Sequence, residues 1–115
     1  MEKSVISYAD FAKLDMRVGT ILEANEVDGS EKLLKFLIDL GELGQRTLLS
    51  GIKKHFKAEN LVGTQVLVLA NLEPKKIMGM ESQGMILMAV ESPEGEEKIS
   101  LLVPQDKVPA GVGVL

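Results

Sequence analysis

The chain has 115 residues, 45% of them hydrophobic and 26% charged, with a formal net charge of −4 and no cysteine. That length fits one compact domain and is too short for two, and its apolar runs fall far below the ~20 residues of a membrane-spanning helix. Without cysteine there is no disulfide framework, no His/Cys metal cluster and no Cys–His nucleophile pair. The opening residues lack a basic start followed by an apolar stretch, and the end carries no lipidation signal, so a soluble cytoplasmic protein with no membrane association is expected.

In chain order, Ser7 followed by Asp10 has the spacing of a capping box and predicts a short helix through Ala12 to about Leu14. Partial alternation from Met16 to Val27 predicts a long, bent first strand, with Gly19 at the bend. Asp28-Gly29 is a hairpin signal. From Lys32 to Leu40, residues Leu34, Phe36, Ile38 and Leu40 share one face, placing Phe36 in the core, while Lys35 and Asp39 lie on the other with Leu33 and Leu37. Arg46–Ser50 reads as a third strand, and Ile52–Leu61 as a short helix or helical turn ending near Gly63. Thr64–Ala70 is apolar on both faces, which fits a fully buried strand or one whose outer face meets another subunit.

Asn71–Met88 puts Pro74, Gly79 and Gly84 between two apolar strands, so it reads as a binding loop rather than a continuous helix or strand. It also holds Met78, Met80, Met85 and Met88, flexible side chains that suit either an irregular partner or core filling. Gly84–Val90 forms another strand, S-P-E-G-E-E (92–97) a charged turn, Ile99–Val103 a last strand, and Pro104–Gly113 a closing tail. Five or six short strands with a helical piece between the third and fourth predict an all-β chain. The expected fold is a small OB-fold β-barrel with short helices at the N-terminus and between strands three and four. A β-sandwich is the competing architecture.

Charge is unevenly spread. Lys32 to Lys76 contains eight Lys/Arg and four Asp/Glu, a local net of +4 that leaves −8 for the remainder. Glu23, Glu26, Asp28 and Glu31 gather on one side of that stretch and Glu91, Glu94, Glu96 and Glu97 on the other, so one basic and one acidic face are expected, though solvated surface uses charge runs too.

An enzyme constellation is not found. His55 is the single histidine, and Leu48 stands where a G-x-S-x-G elbow at Ser50 would need glycine. No phosphate-binding glycine loop or dinucleotide fingerprint occurs, so no cofactor is expected.

Lys32, Lys35, Lys53, Lys54, Lys75 and Lys76 could instead meet the phosphates of a polynucleotide. Asn71, Ser82 and Gln83 could bond base edges or 2′-hydroxyls, with apolar contact from Met85. Their structural alternatives are turn formation for Asn71 and Ser82 and packing for Met85. Tyr8, Phe11, Phe36 and Phe56 are the only aromatics, so stacking on an extended strand is disfavoured against recognition of a folded RNA by shape and backbone. The two-sided apolar patterns of Thr64–Ala70 and Met85–Val90 predict a homodimer.

D-F-A-K-L-D-M-R-V-G-T-I (10–21), K-L-L-K-F (32–36), R-T-L-L-S-G-I (46–52), L-V-G (61–63) and N-L-E-P-K-K-I-M-G-M-E-S-Q-G-M-I-L (71–87) together resemble the structure-specific tRNA-binding domain. That domain is found at the C-terminus of methionyl-tRNA synthetases and as a free-standing tRNA-binding protein. The resemblance covers nearly the whole chain. It implies an OB-fold that binds tRNA without sequence preference, as a homodimer, and lends tRNA affinity to methionyl-tRNA synthetase rather than catalysing a reaction. On the family motif, Asn71, Lys75, Lys76, Ser82 and Met85 are the implied RNA contacts. Lys32, Lys35, Arg46, Lys53 and Lys54 rest on charge placement alone. A related branch resembles an export chaperone that binds peptides, which leaves a peptide-binding module as the alternative.

Overall fold

The computed structural model describes residues 2–92 and 95–115; Pro93 and Glu94 of the charged turn lie outside them. After helix α1 (Tyr8–Ala12), strand β1 (Met16–Glu26) organises the domain because it is long enough to serve two neighbours. Its second half, Thr20–Glu26, pairs antiparallel with β2 (Leu34–Asp39), which pairs in turn with β3 (Gln45–Ser50). Its first half, Met16–Thr20, pairs with β4 (Gln65–Leu69). Two hairpins follow. The first joins β5 (Lys75–Ile77) to β6 (Met80–Ser82); the chain then adds β7 (Met85–Ile86) to β4, and the second hairpin joins β8 (Met88–Glu91) to β9 (Lys98–Leu101). The main sheet runs β3-β2-β1-β4-β7 and curls until its ends meet.

Curling needs a bend in β1, and the register shift between Ile21 and Glu23 supplies it, as bulges do. The expectation that Gly19 marks the bend is corrected. A Cβ there would stand 2.5 Å from Ile38 Cγ2 and 3.0 Å from Leu40 Cδ2, so this glycine permits close packing across the barrel.

Closure does not use a regular ladder. Ser82 Oγ accepts the Leu49 N–H (3.0 Å), Gln83 Oε1 accepts the Thr47 N–H (3.1 Å), and the Gln83 N–H donates to the Thr47 carbonyl (2.8 Å). Side chains therefore satisfy edge donors of β3 that would otherwise be left without partners.

The alternation in β2 is as expected: Leu34, Phe36, Ile38 and Leu40 are buried, packed with Ile21, Leu48, Val66 and Val68. This is a small, nearly closed all-β barrel rather than a sandwich. Between β3 and β4 the expected short helix or helical turn takes the form of turns and a 3₁₀ segment, Ala58–Asn60, whose following residue Leu61 plugs the core. The apolar run Gly84–Val90 is two strands, because the Leu87 N–H still bonds the Leu67 carbonyl before the chain turns away to pair with β9.

The Asn71–Met88 segment is more regular than a loop. Met78 (φ 51°) and Gly79 (φ 78°) both take left-handed backbone at the tip of the β5–β6 hairpin, the geometry of a type I′ turn. The C-terminal tail lies along the free edge of β1, with the Val18 N–H donating to the Val112 carbonyl (2.9 Å) and the Val114 N–H to that of Met16 (2.8 Å). Arg17 clasps it from β1. Hydrogen bonds to Asp15 (2.8 Å) and Glu42 (3.1 Å) hold its guanidinium pKa above the ordinary arginine value, and it also reaches the Gly111 carbonyl (3.4 Å).

Candidate nucleic-acid interface

The β5–β6 hairpin leans over the end of β3, and the space between them is an open groove of about 460 Å³. Its floor comes from Leu49, Ile52 and Ile86, its walls from Leu72, Ile77, Met85 and Met88, and its polar rim from Ser50, Glu73 and Lys75. β5 is exposed at Lys75 and Lys76, and neither lysine forms an ion pair among the described residues. Met85 is 47% exposed, so its thioether faces the groove rather than the core.

The two polar residues of the motif are engaged within the fold. Ser82 is only 5% exposed, and its hydroxyl accepts from Leu49 while donating weakly to the Gly84 carbonyl (3.5 Å). Asn71 stands at the exit of β4, where its carbonyl oxygen accepts the Asp15 N–H (2.9 Å) and its amide donates to the Lys13 carbonyl (2.6 Å). Thus Asn71 ties the segment after α1 to the barrel. No residue of α1 is itself buried, so this tether matters for a helix of five residues.

The remaining basic residues are dispersed. Lys54 is exposed two residues beyond the groove's Ile52, but Lys53 turns away, donating to the Ser30 carbonyl (3.1 Å) and standing 3.6 Å from Glu26. Lys32 is exposed in the connection between β1 and β2, its carbonyl accepting the Lys53 N–H. Arg46 is half-buried and donates to the Ala70 carbonyl (3.0 Å). Lys35 lies elsewhere, in a second groove of about 580 Å³ shared with Glu23, Glu26 and Asp28. One groove therefore gathers Lys75, Ser82 and Met85; Lys76 alternates to the other face of β5, and Lys35 sits among carboxylates.

Residues 16–113 match the family described as "Putative tRNA binding domain". The chain belongs to this tRNA-binding family. It is 50% identical over 113 residues to a methionine–tRNA ligase of Methanothrix thermoacetophila and 46% identical over 114 residues to that of Christiangramia forsetii; each alignment covers 98% of this chain. The chain spans 16% of the length of these two curated relatives. Among solved structures, a MetRS-related protein from Pyrococcus horikoshii is similar at TM-score 0.87 and 34% identity, over 98% of this chain and 100% of that one. The chaperone CsaA of Bacillus anthracis is similar at TM-score 0.84 and 29% identity, over 97% and 100%.

For a member of the tRNA-binding family, the groove adds residues that sequence reasoning did not single out: Ser50, Leu72, Glu73, Ile77 and Val90. Only Leu72, Glu73 and Ile77 carried a signal, since they flank the motif residues. Ser50 and Val90 reach the groove through the barrel's closure, which no local pattern announces.

Proposed function

We propose that residues 1–115 form a single non-catalytic OB-fold domain that binds tRNA by shape and backbone, works as a homodimer in the cytoplasm, and raises the tRNA affinity of a methionyl-tRNA synthetase. The observation that carries this reading is the family match across 16–113. The groove lends it physical support: Lys75 and Lys76 are exposed and form no ion pair among the described residues, and Met85 offers apolar contact beside Lys75. RNA phosphates would meet those ammonium groups, with Lys54, Lys32, Lys53, Arg46 and Lys35 as progressively less accessible or more screened contributors. Asn71 and Ser82 act by holding the surface in place. The dimer is supported by a second apolar face, where Val18, Leu67, Leu102, Val103, Pro104 and Val114 line a groove of about 220 Å³ with Val103 57% exposed. Among the described residues no helix is long and apolar enough to cross a membrane.

The test is a gel shift of folded tRNA against an unstructured RNA of equal length. Preference for tRNA is expected, and equal affinity, or no binding at low salt, refutes the reading. A second reading comes from the likeness to CsaA and the apolar lining of the same groove, which suits an exposed apolar peptide. Tight binding of an unfolded client that tRNA cannot displace would favour it.

A further inference from the structure

We infer that the groove between the β5–β6 hairpin and the end of β3 receives one unstacked nucleobase of the bound RNA, held by its ring face between thioethers and aliphatic walls and not read at its edges. The inference rests on the tRNA-binding reading and specifies what its central groove holds. Its first ground is chemical subtraction. Of the groups the motif offers for reading base edges, Asn71 and Gln83 do not line the groove, and the Ser82 hydroxyl is engaged with the barrel's own backbone. Inside the polar rim of Ser50, Glu73 and Lys75, the surface facing the space is apolar: Leu72, Ile77, Met85 and Met88, over a floor that includes Ile52. Such a lining attracts the flat face of any base and discriminates little among them.

Size and charge agree. A volume of about 460 Å³ lies within the range of small-ligand sites, roughly 300–1,000 Å³, and admits a planar ring. Lys75 and Glu73 stand on the same rim, so the interior is near neutral in charge. That suits an uncharged base inside, with its phosphates kept outside against Lys75.

The aromatic inventory supplies a further ground. Phe36 is buried, Phe56 packs against the core, and Tyr8 and Phe11 form a pair on α1, so none of the four lines this groove. Methionine sulfur makes favourable contacts with aromatic rings at ~5 Å and takes over the contact that an exposed aromatic ring makes in other single-strand binders. Two of the six methionines, Met85 and Met88, line this one groove.

The test uses two hairpin RNAs of equal length, one fully paired and one with a single bulged 2-aminopurine, titrated into the whole chain beside tRNA. Wild-type protein is expected to bind the bulged RNA roughly threefold to tenfold tighter than the paired one, to change the 2-aminopurine emission, and to shift the methyl resonances of Met85 and Met88. Met85→Ala should weaken the bulged RNA more than the paired stem and so remove most of that difference, whereas Lys76→Ala should weaken both RNAs by the same factor and preserve it. Equal wild-type affinities with unchanged emission overturn the base site, and tRNA binding under those same conditions leaves the proposed function standing. Failure to bind tRNA overturns both. If the two methyl resonances move with an unfolded apolar peptide and not with bulged RNA, the groove is a peptide site and the inference falls.

Discussion

Replacing Ser82 with alanine separates a contact residue from a structural one. In the barrel Ser82 is 5% exposed, and its Oγ accepts the backbone N–H of Leu49, itself 8% exposed, at 3.0 Å. Ser82→Ala leaves that largely buried N–H at the floor of the groove without its protein partner, which costs about 1–3 kcal/mol. For a domain of this size each kcal/mol lowers Tm by ~4 °C, so a drop of roughly 4–12 °C is expected in a calorimetric or circular-dichroism melt. At a temperature where the variant is folded, its lysines and arginines are unaltered, so the slope of log tRNA affinity against log salt should match wild type. Lys75→Ala should do the opposite: stability within ~0.5 kcal/mol of wild type, and a salt slope smaller in magnitude by ~0.7–0.9. A Ser82→Ala protein that melts like wild type but loses more than tenfold in tRNA affinity would refute the structural assignment.

Three further outcomes follow from the packing. Asn71→Ala removes both bonds to the Lys13–Asp15 segment, so amide exchange over residues 8–14 should accelerate while the core strands stay protected, with a global loss of about 1–2 kcal/mol by denaturant titration. Gly19→Ala forces a methyl to within 2.5 Å of Ile38 Cγ2 and should cost about 1–3 kcal/mol by overpacking, visible as a lower urea midpoint at unchanged slope. Val103→Asp puts a charge on a side chain 57% exposed in the domain alone, so the fold should persist while the proposed dimer is lost; light scattering at micromolar concentration should report a dimer for wild type and the monomer mass for the variant, a monomeric wild type would refute the dimer, and a dimeric variant would place the subunit contact elsewhere.

What could be read from the sequence follows from how many physical signals coincide at a position. In β2 one face is wholly core, so Leu34, Phe36, Ile38 and Leu40 alternate cleanly against Lys35 and Asp39, and both strand and burial were legible. In β1 the visible glycine was ambiguous. Glycine suits a bulge and equally a close approach; the bulge fell near Leu22, which no residue type marks, while Gly19 was needed by Ile38 and Leu40 from a strand not yet placed. The β5–β6 hairpin was hidden because Met78 occupies a turn position that Asn, Asp or Gly ordinarily fills. Its three-residue strands are also too short to show a period. Ile52–Leu61 has helical composition but no apolar stripe to dock, so the sequence leaves a short helix and a helical turn open, and the chain takes turns and a 3₁₀ segment that need bury only Ile52, Ala58 and Leu61.

For the site, residue type was legible and orientation was not. Eight basic residues between Lys32 and Lys76 gave the right sign of charge for RNA, yet alternation along β2 sends Lys35 toward Glu23, Glu26 and Asp28, and Lys53 is turned back by the Ser30 carbonyl. The same limit applies to polar residues in the motif. Asn71, Ser82 and Gln83 look from the sequence like groups available to a ligand. A small barrel whose sheet ends meet without a regular ladder must satisfy its edge N–H groups by other means, and these three sit where β4 ends and β3 must be joined. A motif in such a fold mixes residues that touch the ligand with residues that build the surface. Exposure divides them here: Lys75, Lys76 and Met85 stand outside, so binding energy is expected from those three and thermal stability from the others.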